Sequence, residues 1–388
     1  LGTGLLSHWE LDPSVVFLNH GCFGAAPRAV LESQAAWQRR IEARPIELLE
    51  RRRAELLAGA KKAVGGFLGA RPQDFGFVTN ATGGANAVLR SLRFAPDDEL
   101  VTTNHVYNAI RQTMRYVAEQ AGARYIEVPI PLPVSSGDDV VHAIAAALGD
   151  RTRLLVVDHI TSPTAVVFPI ERILAICARR GIDVLIDGAH TPGMIEVNLE
   201  GLGAAYFTGN LHKWACAPKG AAFLWVRPDK QPGIHPTTIS HFLDEGLASE
   251  FAWQGTRDIT AWLCAAEAIE FMERSFGWQR VRRHNHELAV WVQSLLCRRW
   301  EVEPSTPQDG SMLGSMATVP LPPQARQAFE SVEALHAQLW ERHRIEVAAI
   351  DWGDRWWIRP SCQVYNTPDQ YERLADAVTE LIACSPNS

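Results

Sequence analysis

Seven short β-rich runs alternate with helical patterns between residues 75 and 226, and that alternation leaves the chain few ways to fold. The runs are FGFVT (75–79), ELVTT (99–103), RYIEV (124–128), RLLVVD (153–158), IDVLID (182–187), AAYFTG (204–209) and AAFLWV (221–226). Strands separated by helices predict an α/β domain with a mostly parallel seven-stranded sheet and helices on both faces. RLLVVD and IDVLID are apolar on both parities, as central strands covered on both sides must be. Ligands of such sheets bind beyond the carboxyl ends of the strands. The residues that follow each run are therefore where chemistry is expected.

From residue 257 the pattern changes to long helices (262–275 and 278–299), short mixed strands and a last helix over 368–384. The division predicts a large cofactor-binding α/β domain over 15–256 and a smaller α+β domain over 257–388 together with 1–14. A chain of 388 residues with 47% hydrophobic content can bury both cores. Its net charge of −7 gives no general attraction to nucleic acid. The basic stretch 50–62 is interleaved with Leu56 and Leu57 and followed by Val64 at helical spacing, the mark of a solvated helix face. Seven scattered cysteines without a C-x-x-C pair support neither a disulfide framework nor a zinc site, and fit the reducing cytoplasm. No apolar run approaches the ~20 residues that span a bilayer, and residues 1–10 lack the order of a signal peptide. His284 and His286 diverge by about 200° on a helix, so no metal site is expected of them.

One stretch stands out against this background: GNLHKWACAPKG, residues 209–220, places Lys213 just past a buried run. Asp187 ends IDVLID one strand earlier, so its carboxylate emerges at the same sheet edge. An amine for a Schiff base and an anion that keeps a pyridinium nitrogen protonated are the two groups that pyridoxal 5′-phosphate (PLP) chemistry requires. FVTNATGGANAV (77–88) adds a strand, a Thr/Gly turn and a helix start, where free N–H groups suit a phosphate.

With these residues in view, the sequence resembles the class V aminotransferase family of fold-type I PLP enzymes, and within it the isopenicillin N epimerase group. The motifs that carry the resemblance are VVFLNHGCFGAAP (15–27), TNATGGAN (79–86), NHVYNA (104–109), VVDHITSPTAVVFPI (156–170), LIDGAHTPG (185–193), GNLHKWACAPKGAAFLWV (209–226), WQGTRD (253–258) and RPSCQVYNTPDQYERL (359–374). The resemblance implies the aspartate aminotransferase-like fold with Lys213 carrying PLP and Asp187 pairing its ring nitrogen. It implies that His190 and Ser162 contact the ring hydroxyl and that Tyr107 stacks on the ring. Thr82 and Gly83, joined by Asn210 and His212, hold the phosphate. Thr256 reaches the phosphate of a neighbouring subunit, which implies a homodimer with shared sites. Arg359 grips the substrate α-carboxylate, and Asn19 and His20 lie near the substrate.

The implied reaction is epimerisation at Cα of an amino-acid substrate through a carbanion, with Lys213 as base and Tyr107 as second proton donor. The alternative is a C–S lyase acting on a cysteine conjugate or sulfoxide. A cysteine desulfurase is disfavoured because residues 344–358, ahead of Arg359, hold no cysteine. An aminotransferase and a catalytically silent PLP-fold protein complete the set.

Overall fold

The computed structural model describes residues 4–384; residues 1–3 and 385–388, the extremities of the expected smaller domain, lie outside the described residues. Twelve strands follow in chain order among the described residues: β1 Val16–Phe17, β2 Phe75–Val78, β3 Glu99–Thr103, β4 Arg124–Val128, β5 Thr152–Asp158, β6 Asp183–Asp187, β7 Tyr206–Asn210, β8 Ala222–Val226, β9 Val319–Pro320, β10 Ile345–Glu346, β11 Ala348–Trp352 and β12 Arg355–Arg359. The seven runs read from the sequence all form strands, with ends displaced by at most two residues. They make one sheet in the order β2-β8-β7-β6-β5-β3-β4. Only β8 runs antiparallel to its neighbours in that sheet.

Alternation along the central strands divides their side chains between two cores. Leu155, Val157, Val184, Ile186 and Phe207 enter the larger apolar cluster, and Leu154, Val156, Leu185 and Tyr206 enter the cluster on the opposite face. That division is why β5 and β6 are apolar on both parities. Each such side chain adds about 1.5–3 kcal/mol by leaving water. Six parallel strands thus bring their carboxyl ends to one edge.

A third cluster joins the helices Trp278–Trp300, Val332–His343 and Pro368–Ala383 to β12. Here β9, β11 and β12 form an antiparallel sheet, while β1 pairs in parallel with β10 through Val16↔Ile345. Ser361 N–H donates to Leu18 O at 2.7 Å. The chain after β1 is thereby sewn to the chain after β12, which sets Cys22 close to Arg359. Trp356 and Trp357 are buried, and Trp357 Nε1 donates to Trp352 O at 3.0 Å.

Candidate active site

A cavity of about 370 Å³ opens at the carboxyl edge of the large sheet, among the residues that follow β2, β3, β5, β6 and β7. Of the residues singled out by sequence, Lys213, Asp187, His190, Tyr107, Thr82, Asn210, His212 and Ser162 line it. Five different strand ends supply them, so the site is a product of the sheet.

Lys213 is at its centre. Its amine is buried, 3.1 Å from His190 Nε2, and burial together with the Arg359 charge pushes it down to about 8 despite Asp187 nearby. Desolvation disfavours the ammonium, which is the direction a nucleophilic amine needs. His190 in turn accepts the Trp214 indole N–H on Nδ1 at 3.2 Å. Burial holds His190 neutral, with the cations Lys213 and Arg359 acting in the same direction. The other lysine of the motif, Lys219, is tied to Gly24 O at 2.9 Å and takes no part.

Two carboxyls face this amine. Asp158 and Asp187 are register partners at the ends of β5 and β6. Burial raises both, and the charge of Asp187 raises Asp158 further. Asp187 receives the Ala189 N–H on Oδ1 at 2.9 Å and lies near Lys213, so it is the member held as carboxylate. Asp158 is pushed up more strongly than Asp187, by burial and by the Asp187 charge, and its Oδ2 has no partner.

At the other end of the cavity the helix Ala81–Ser91 begins. Asn80 caps it by accepting the Gly83 N–H at 2.8 Å, and Asn210 Oδ1 accepts the Ala81 N–H at 2.8 Å. A helix N-terminus at a cavity wall favours an anion. His212 Nδ1 bonds Ala221 O at 2.9 Å, which assigns the proton to Nδ1 and leaves Nε2 as an acceptor. Burial pushes His212 down to about 4. It can join an anion only by taking up a proton that the anion itself would stabilise.

Arg359, the last residue of β12, lies behind the cavity wall. Its guanidinium donates through Nη1 to Ser162 O and through Nη2 to Cys22 Sγ, the latter at 3.3 Å. The residue is 4% exposed and Nε has no partner. Among the described residues no carboxylate lies within ion-pair distance of it. A buried guanidinium left this way is a site for an incoming carboxylate. Cys22 lines the same cavity. Cys362, by contrast, is buried, with its thiol pushed up to about 12 by desolvation.

Several expectations require correction. His20 and Asn19 turn away from the cavity: His20 Nδ1 bonds Tyr365 OH at 2.8 Å and Nε2 bonds Lys213 O at 3.0 Å, while Asn19 Nδ2 donates to Glu346. Burial pushes His20 down to about 3. His20 braces the lysine turn, as does Gly24, where a Cβ would stand 2.1 Å from His212 O. Gly83 does not line the cavity, and its N–H is given to the Asn80 cap. Ser162 presents a wall, and its carbonyl orients Arg359. Thr256, expected to reach the phosphate of a neighbouring subunit, is exposed and lies outside the cavity of its own chain, which leaves that expectation unaltered.

The donor set fits PLP: a desolvated amine, a carboxylate one strand away, a helix N-terminus for the phosphate, and an orphaned Asp158 oxygen that a ligand would cover. Fold and site together define a PLP-dependent enzyme. The family model described as aminotransferase class-V matches residues 24–348. Isopenicillin N epimerase of Amycolatopsis lactamdurans is 34% identical over 391 residues, covering 96% of this chain and 96% of that protein. Putative L-cysteine desulfhydrase 1 of Oryza sativa subsp. japonica is 33% identical over 407 residues, covering 96% and 84% respectively. A solved structure of a cysteine desulfurase from Thermococcus onnurineus NA1 shares the fold with a TM-score of 0.81 at 21% identity, covering 97% of each chain. The chain belongs to the class V aminotransferase family.

Proposed function

We propose that this enzyme removes the α-proton of an amino-acid substrate and returns a proton at Cα from the opposite face, as an epimerase. The observation that carries the reading is the buried Lys213 amine sharing one cavity with Asp187 and backed by an Arg359 guanidinium that has no carboxylate partner. Bound there, PLP supplies an electron sink for the negative charge that develops at Cα. Lys213 is held to carry the cofactor and then to move the proton, its burial keeping the amine available as a base. Arg359 fixes the α-carboxylate through a bidentate contact and so sets which Cα bond faces Lys213. Asp187 would pair the ring nitrogen, and Nε2 of His190 would donate to the ring hydroxyl. Thr82, Asn210 and His212, which line one end of the cavity, would hold the phosphate, His212 taking up a proton as the anion binds. Tyr107, which lines the cavity mouth, is the proton donor on the second face.

Relatives named isopenicillin N epimerase support this outcome, and relatives of similar identity named as L-cysteine desulfhydrases support a second, C–S bond cleavage by the same lysine. Incubation of the PLP-loaded protein with amino acids and cysteine conjugates in deuterated water separates them. Deuterium at Cα with inversion is the expected result; release of pyruvate or ammonia without inversion assigns the lyase instead. A homodimer belongs to the same reading, because Phe23 and Tyr107 stand exposed at the cavity mouth where a second subunit would cover them. Sedimentation equilibrium is expected to give twice the chain mass, and a monomer that is fully active contradicts it.

A further inference from the structure

We propose that Trp214 is a positioning residue for Lys213, acting through His190: its indole N–H holds the imidazole in the one tautomer that presents Nε2–H to the cavity. An indole nitrogen donates and cannot accept. With Trp214 Nε1 at 3.2 Å from Nδ1, that ring nitrogen must offer its lone pair, and the proton of a neutral imidazole falls to Nε2. Nε2 is the atom that meets Lys213 Nζ at 3.1 Å. An Nε2–H can donate to an uncharged amine but only repels an ammonium, so the indole favours the uncharged form of an amine it does not touch.

The other groups around the pair do not supply this constraint. Lys213 is faced by Asp187, Asp158, Cys22 and Arg359, and His190 by Arg359, His20 and His212. None of these donates to His190 Nδ1. The indole cannot turn away, because Trp214 is 1% exposed, clusters with Ile160, Ala165, Met194 and Met316, and lies 4.9 Å from the His20 ring. The inference rests on the reading of Lys213 as the PLP carrier, and extends it to a residue that neither the family comparison nor the sequence marks.

Two measurements on the full chain test it. In the wild-type apoprotein, ¹⁵N spectra of labelled histidine, with His190 assigned by its loss in His190→Ala, are expected to show a bare Nδ1 and a protonated Nε2. In Trp214→Phe the two tautomers are expected to mix, and Lys213 as an ammonium can then donate to Nε2. The rate of PLP capture at pH 7 should fall about tenfold, the worth of one hydrogen bond to a charged group, with the rate profile displaced to higher pH. In a His190→Ala background the same Trp214 substitution should leave that profile unmoved. A proton on Nδ1 in the wild type overturns the proposal, as does an unchanged profile in Trp214→Phe. If Lys213→Ala captures PLP as the wild type does, the reading of Lys213 fails instead, which the tautomer measurement distinguishes.

Discussion

A strand-end lysine becomes reactive here through neighbours that differ in how plainly the sequence shows them. Asp187→Asn keeps the shape of the site but removes the charge beside the ring nitrogen. Deuterium exchange at Cα should fall about a hundredfold with PLP still bound, the size of effect typical of losing one aimed electrostatic contact. Arg359→Lys replaces a planar fork by a point charge, and KM should rise about tenfold with a smaller change in kcat. Lys213 and Asp187 were legible because Asp187 ends one buried run and Lys213 lies shortly after another, so position along a strand predicted position in space. Cys22 and Arg359 were not legible as neighbours. Their contact depends on the β1–β10 pairing and the Ser361–Leu18 bond, which join segments far apart in the chain. The contacts of His20 and Asn19 were hidden for a related reason: His20 bonds the Lys213 carbonyl and Asn19 bonds Glu346, pairings between segments far apart in the chain.

At the scale of elements, the helix Ala81–Ser91 shows how the TNATGGAN motif divides its work. Asn80 is the cap, and Asn80→Ala should cost about 1 kcal/mol, seen as a lowered Tm, together with weaker PLP retention measured by dialysis. Gly84 serves packing: a Cβ there would lie 2.1 Å from Thr208 Oγ1 on β7. Gly84→Val should therefore lift the helix from the sheet and lose bound PLP, although the residue lines no part of the cavity. Strand existence and order were readable from alternation, because period and burial are local signals. The cap and the close approach were not, since T-G-G at a helix start gives the same pattern whether a glycine meets a phosphate or a neighbouring strand. The left-handed Ala165, at φ 57°, likewise shows only in the backbone.

Across the whole molecule, buried neutral histidines make the fold sensitive to acid. Burial pushes His20 and His159 down to about 3 and His105 to about 4. Unfolding frees each to titrate near 6.5, so the unfolded state binds more protons below that pH and stability is lost as pH falls from about 6.5 towards 4. Each histidine should cost about 2 kcal/mol at pH 5. The raised Asp158–Asp187 pair acts in the opposite direction but is outnumbered. Chemical denaturation of the apoprotein at pH 7 and pH 5 is expected to show a marked loss of stability at the lower pH. The central claim concerns one amine among the chain's five lysines, Lys61, Lys62, Lys213, Lys219 and Lys230. Lys61 is the instructive competitor, since burial pushes it too down to about 8, yet it lines a different cleft, beside Phe77 and Phe251. Borohydride reduction of the PLP-loaded protein followed by peptide mass mapping measures which amine carries the cofactor. A phosphopyridoxyl group on Lys213 alone is the predicted result, and a stoichiometric label on Lys61 or any other lysine, with Lys213 unmodified, would contradict the account.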